Sequence, residues 1–281
     1  MFTQQEKESS FLQLQEHMKG RFFIGRLSGN ETRLAGLVLN NRLPDSGLIQ
    51  NMLYGAGIQF KTKNDLKDYV QTYNNAVKNS TALGVWDGGM YKQAELYYNL
   101  IDKIYRMPRL CAHALEPYYF MKMKEYDFPS LFKNKKVLVI TSHSQTTQKQ
   151  IDKMDKGLFF EKPIFHETTK FYVYKPPQQN GGSHDNICWK EHFEKMKNDI
   201  KTIKDLVEFD VALVSCGGFG MLISDYIFSI GPNVIYVGGA LQLFFGIIGS
   251  RWKMQTNENW VRPMDIDKPK NPEFCENSCY W

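Results

Sequence analysis

Hydrophobic positions in this 281-residue chain fall into short continuous runs, not alternating ones. Continuous apolar runs of four to seven residues suit parallel strands covered on both faces. The clearest lie at Arg21–Arg26, Thr81–Trp86, Lys136–Ile140, Lys170–Tyr174, Phe209–Ser215 and Asn233–Val237, with a further candidate at Leu110–Leu115. Between them the apolar positions recur at helical spacing. Leu66, Tyr69, Val70, Tyr73 and Val77 mark a helix over Asn64–Lys78, and Trp189, Phe193, Met196, Ile200 and Ile203 mark another with a lysine-rich outer face. Residues 3–18, Ala94–Tyr105, Thr146–Met154 and Met221–Ser229 read as helices too, and residues 34–43 as a helix-like run. Residues 45–63 read as a loop with glycines at 47, 55 and 57. Six or seven strands alternating with helices predict an α/β fold with a doubly wound, mostly parallel, Rossmann-like sheet. No repeat or low-complexity linker divides the chain, so one domain is expected over 1–281, with an N-terminal helix in 1–19. Residues 253–281 lose periodicity and read as an irregular tail wrapped over the surface.

Several strands end in glycine or small polar turns, and ligands of open α/β sheets sit at such carboxyl ends. Phe209–Ser215 runs into Cys216-Gly217-Gly218-Phe219-Gly220, and Asn233–Val237 into Gly238-Gly239 followed by a helix-like run carrying Gln242. There the backbone can approach a ligand closely, and helix N-termini favour an anion such as phosphate. Lys136–Ile140 leads into Thr141-Ser142-His143-Ser144-Gln145, whose hydroxyls and imidazole can bond phosphate oxygens; capping by Ser144 or Thr146 accounts for the same residues. After the first strand comes Ser28-Gly29-Asn30-Glu31. Glu31 suits a ligand edge, and equally a helix N-terminus stabilised through its dipole. Asp87 and Glu116 lie after two further strands.

Composition narrows the classes. A net charge of +5, spread along the chain, suits an anionic substrate but lacks the clustered basic face of a nucleic-acid binder. Five scattered cysteines are no disulfide framework, and the Cys275-xxx-Cys279 pair has no partner pair of zinc-site spacing. With neither a signal-peptide pattern nor an apolar run long enough to span a bilayer, a soluble cytoplasmic protein without a transmembrane segment is expected. The acidic residue of an NAD site is missing where Val237-Gly238-Gly239 stands, which counts against hydride transfer.

In chain order, IGRLSGNE, ALEPYYF, KVLVITSHSQTTQKQ, YKPPQQNGG, FDVALVSCGGFG and YVGGALQLFFGIIGSRW together resemble the GT-D-fold glycosyltransferases over residues 20–262. That resemblance implies a Rossmann-like GT-D fold and transfer of a sugar from a nucleotide sugar, UDP-linked above all, to a glycan or related acceptor. The family's Asp-X-Glu motif, which holds the donor through a divalent metal such as Mn or Mg, falls on Gly29-Asn30-Glu31. Glu31 is thus the expected metal-side residue, while Gly29 replaces the aspartate and puts metal dependence in doubt. On this reading Arg26 and Arg251 neutralise the diphosphate. Ser142, Ser144, Gln145, Gly217, Gly218, Gly238, Gly239 and Gln242 approach the nucleotide, Trp252 covers a base or sugar, and Glu31, Asp87 and His143 are the candidate bases. A non-catalytic nucleotide-binding module of the same fold and an S-adenosylmethionine-dependent methyltransferase are the alternatives.

Overall fold

In the structure, a computed structural model, residues 3–86, 94–123, 125–154 and 158–281 are described. Seven strands form one sheet: β1 (Phe23–Arg26), β2 (Ala82–Val85), β3 (Arg109–Cys111), β4 (Lys136–Thr141), β5 (Lys170–Tyr174), β6 (Val211–Ser215) and β7 (Asn233–Tyr236). Their order is β3-β2-β1-β7-β6-β4-β5, and every pairing is parallel. The expected "mostly parallel" sheet is therefore wholly parallel.

The continuous apolar runs have the expected cause. Leu138 and Ile140 of β4 enter one core with Ala212, Val214 and Val234. Val137 and Val139 enter a second core on the opposite face with Val211, Leu213 and Ile235. Both faces are covered, so neither set of alternate positions can be polar.

Helices α2 (Gly29–Leu39), α3 (Ser46–Tyr54), α4 (Lys63–Asn79), α5 (Glu95–Leu100), α8 (Trp189–Val207) and α9 (Gly220–Ser229) contribute to the first core. The second core is closed by α1 (Gln4–His17), α6 (Pro117–Phe120), α7 (Ser144–Ile151) and the 3₁₀ run Gly238–Phe245. Connections run in opposite senses around β4 and β6: α7 leads outward from β4 to β5, whereas α9 leads back from β6 to β7. Such a reversal opens a crevice beyond the carboxyl ends of the strands.

Three local expectations are corrected. The stretch after Pro44 holds α3, because the Asp45 carboxylate accepts from Leu48 N at 2.7 Å and caps a turn that the glycine at 47 disguises. Helix α2 begins at Gly29, ahead of the helix-like run expected over 34–43, and carries Glu31 in its first turn, where the dipole reading has it. The run Leu110–Leu115 is a strand only as far as Cys111, and Ala112–Leu115 continue as a 3₁₀ turn. The tail does more than wrap the surface. Asp267 and Cys275 are buried, and residues 274–276, 280 and 281 line the crevice at the sheet's carboxyl edge. No helix among the described residues is long and apolar enough to cross a membrane.

Candidate functional site

The crevice is a cleft of about 480 Å³. Arg26–Glu31 enter it from the end of β1, Trp86 from β2, Ser142 and His143 from β4, and Pro176–Asn180 from β5. Ser215–Gly217 come from β6, Tyr236, Gly238 and Gly239 from β7, and Arg251 from the chain beyond. Turns far apart in sequence thus converge because all the strands point the same way.

Of the residues singled out from sequence, Arg26, Glu31, Ser142, His143, Gly217, Gly238, Gly239 and Arg251 line this cleft. Gly218, Ser144, Gln145 and Gln242 are not among its lining residues. Asp87 lies outside the described residues.

Glu31 is buried at the start of α2, with the Ser28 side chain beside its carboxyl. Burial raises its pKa, the Ser28 contact opposes the shift, and the charge of Glu276 across the cleft adds to it. A buried carboxyl so tuned holds its proton at higher pH and is a stronger base when it loses it. Tyr69, Tyr73 and Tyr236 surround the same charge; burial first, and Glu31 second, push all three hydroxyls upward.

Two of those tyrosines shape the β6 turn. Tyr236 Oη donates to Gly217 O at 3.0 Å, and Tyr69 Oη donates to Gly218 O at 2.8 Å. Gly217 has φ +55°, and a Cβ there would lie 2.6 Å from the Ala56 carbonyl. A side chain at Gly218 would collide with Ile58. The CGGFG glycines therefore let the turn pack against residues 56–58, a cause internal to the protein. Gly238, at φ +68°, leaves room for the Arg26 guanidinium, and Gly239 for the ring of Tyr280.

Arg26 is engaged. Its Nη2 lies 2.9 Å from Glu116 Oε1, Nη1 donates to the Val237 carbonyl, and the guanidinium stacks on Trp86 at 4.6 Å. Burial raises the Glu116 carboxyl, but His113, whose Nδ1 lies 3.6 Å from Glu116 Oε2, and the Arg26 charge outweigh it and hold the group below the usual range. Arg26 thus forms a buried ion pair at the floor of the cleft. Arg251 is less enclosed and meets Glu276 at 3.3 Å and Tyr280 Oη at 2.9 Å.

The β4 turn is also occupied. Gln145 N and Thr146 N donate to the Asp267 carboxylate at 3.2 and 2.8 Å, and Thr146 Oγ1 donates at 2.6 Å. The anion expected at this helix N-terminus is a buried carboxylate of the chain itself. Beside it His143 is buried, with Nε2 unpartnered, and its pKa falls to about 4 through burial, against the pull of Asp267. His143 is neutral at pH 7 and faces Trp281, ring centroids 5.6 Å apart. Gln242 is buried, and its Nε2 donates to the Ile247 and Tyr280 carbonyls.

Among the described residues, no three His, Cys, Asp or Glu side chains are placed to hold one metal ion. At the Gly29–Asn30–Glu31 turn the donor set is one buried carboxyl, which does not fit a hard divalent cation needing several oxygens. Glu276, Tyr280 and Trp281 were not reached from the sequence, since nothing in an aperiodic tail signals that it returns to a cleft. Compared with protein-family models, with curated proteins and with solved structures, the chain matches none. What the cleft binds has to be read from its own chemistry.

Proposed function

We infer that the protein is a glycosyltransferase whose cleft takes a nucleotide sugar, UDP-linked above all, and passes the sugar to a hydroxyl of a glycan acceptor. The observation that carries this reading is the meeting of Glu31 and Arg251 in one cleft at the carboxyl ends of parallel strands. The order of motifs resembling the GT-D glycosyltransferases supports it from the sequence side.

In the reaction, Arg251 sits against the diphosphate and stabilises the negative charge that grows on it as the sugar departs. The acceptor oxygen bonds to the anomeric carbon, and the bond from that carbon to the diphosphate oxygen breaks with its electron pair. The hydroxyl proton passes to Glu31, whose burial-raised pKa suits it to receive one. No step is assigned to a metal, because the donors at Glu31 do not fit one. His143, neutral and enclosed, is less suited to be the base.

A second reading is favoured by Gly29, which leaves Glu31 without the neighbouring carboxylate: a module that binds the nucleotide and transfers nothing. Thermal denaturation with UDP, GDP, CMP, TDP and S-adenosylmethionine, with and without manganese, tests the binding. A ligand at about 100 times its Kd adds roughly 2.7 kcal/mol and raises Tm. Stabilisation by one nucleoside diphosphate, lost in Arg251→Ala, and release of that diphosphate from its sugar conjugate are expected. Stabilisation without release selects the binding module. Stabilisation by S-adenosylmethionine alone overturns both.

A further inference from the structure

Two carboxylates of the tail stand where anionic ligands were expected, and they are held differently. Asp267 is fully buried and accepts three hydrogen bonds at the start of α7. Glu276 is half-exposed and touches the Arg251 guanidinium at 3.3 Å and Tyr280 Oη at 3.3 Å. The first is a fixed part of the structure; the second is a surface ion pair of little intrinsic strength.

The segment carrying Glu276 is strained. Glu276, Asn277 and Ser278 have φ of 49°, 53° and 59°, three consecutive side-chain-bearing residues in the left-handed region. Residues other than glycine visit that region singly, so such a run persists only where its surroundings force it. From outside the segment, Arg251 N donates to Cys279 O at 2.8 Å, Ser250 N to Trp281 O at 3.3 Å, Ser250 Oγ to Ser278 O at 3.1 Å and Gln242 Nε2 to Tyr280 O at 3.4 Å, all to main-chain oxygens. Besides its contacts to Arg251 and Tyr280, the Glu276 carboxylate accepts from Cys279 Sγ at 3.4 Å. At and around the cleft, His143 Nε2, Arg26 Nε and Trp281 Nε1 are buried without a hydrogen-bond partner. Enclosed polar atoms of this kind favour any arrangement that returns them to water or to a ligand.

We propose that residues 275–281 form a displaceable strap over the cleft, in which Glu276 holds Arg251 in place of a ligand's phosphate. A diphosphate-bearing ligand takes Arg251 from Glu276, the left-handed turn relaxes, and the strap swings away from His143. Only the choice of anion rests on the nucleotide-sugar reading. The apparent affinity of the cleft is then lowered by the fraction of molecules in which the strap is closed.

Cys275 reports the motion. Its side chain is 2% exposed, with Sγ 3.5 Å from Asn180 Nδ2 and 3.7 Å from Gly55 O, and burial pushes the thiol up to about 12. The thiolate is the nucleophile that attacks an alkylating reagent and displaces its halide, so a buried thiol with a raised pKa reacts only when the strap opens. Iodoacetamide labelling is followed by peptide mass spectrometry, with inorganic pyrophosphate and UDP as probes. Cys111, buried in β3, serves as the control for global unfolding. Pyrophosphate is expected to speed labelling of Cys275 several-fold and leave Cys111 unchanged. Tyr280→Phe removes the hydroxyl bonded to Arg251 without changing charge. It is expected to speed Cys275 labelling without ligand and to tighten pyrophosphate binding, measured by calorimetry, by roughly five- to tenfold. Pyrophosphate that binds the wild-type protein yet leaves Cys275 labelling unchanged or slower overturns the strap and spares the nucleotide reading. No binding of pyrophosphate or UDP to either protein overturns both.

Discussion

Arg26 and Arg251 carry the same charge into one cleft, and burial decides what each can do. Arg26 is 7% exposed and its partner Glu116 5%, so this pair is sealed from water. Removing one member of a buried pair leaves the other charged and unsolvated, at a cost of about 3–5 kcal/mol. Glu116→Ala is therefore expected to lower unfolding free energy by that amount in urea titrations. The double change Arg26→Met with Glu116→Leu is expected to recover most of it, since matched apolar replacements leave no orphaned charge. A loss below about 1 kcal/mol in the single variant would show that Glu116 is not the counter-charge. Both residues were visible in the sequence as candidates at the ends of strand-like runs. Their pairing was not, because 90 residues separate them and only the parallel alignment of β1, β2 and β3 brings them together.

At the scale of elements, the strands were legible because a parallel strand covered on both faces must be apolar throughout. Helices were legible where one face stays wet, as in α4 and α8. The 3₁₀ run Gly238–Phe245 read as a helix because it is apolar on every side, and periodicity cannot tell its tighter winding from an α-helix. The start of α7 shows what local reading misses. Ser144 and Thr146 looked like caps or phosphate ligands, yet the group that satisfies the first turn is Asp267, more than 120 residues away. Asp267→Ala is expected to cost roughly 2 kcal/mol, the scale of a lost helix cap and its hydrogen bonds. Urea unfolding monitored by circular dichroism reads it. A cost under about 0.5 kcal/mol, as for an ordinary surface change, would mean that water caps the helix instead.

For the whole molecule, the closed cleft links folding to pH through two groups with opposite signs. His143 has its pKa lowered to about 4 from 6.5. As pH falls from 6.5 to 4 the unfolded chain gains a proton that the folded chain refuses, and stability drops by about 3 kcal/mol at 1.36 kcal/mol per unit. Glu31 has its pKa raised above 4.5, so the folded chain keeps a proton that the unfolded chain loses. Its contribution is whole below pH 4.5 and is lost as pH rises through the folded value. Between pH 4.5 and 6.5 the two slopes oppose each other and mask one another in the wild-type protein. Single variants separate them in urea titrations across this range. The stability difference between wild type and His143→Gln is expected to shrink as pH falls from 6.5 to 4. The difference between wild type and Glu31→Gln is expected to shrink as pH rises above 4.5, so that Glu31→Gln is the more stable protein at pH 8. Flat difference curves would mean that both groups remain solvated and that the cleft is open in solution. A His143 curve that slopes in the free protein and flattens under saturating pyrophosphate would tie its shift to the closed strap, because opening the strap takes Trp281 away from His143.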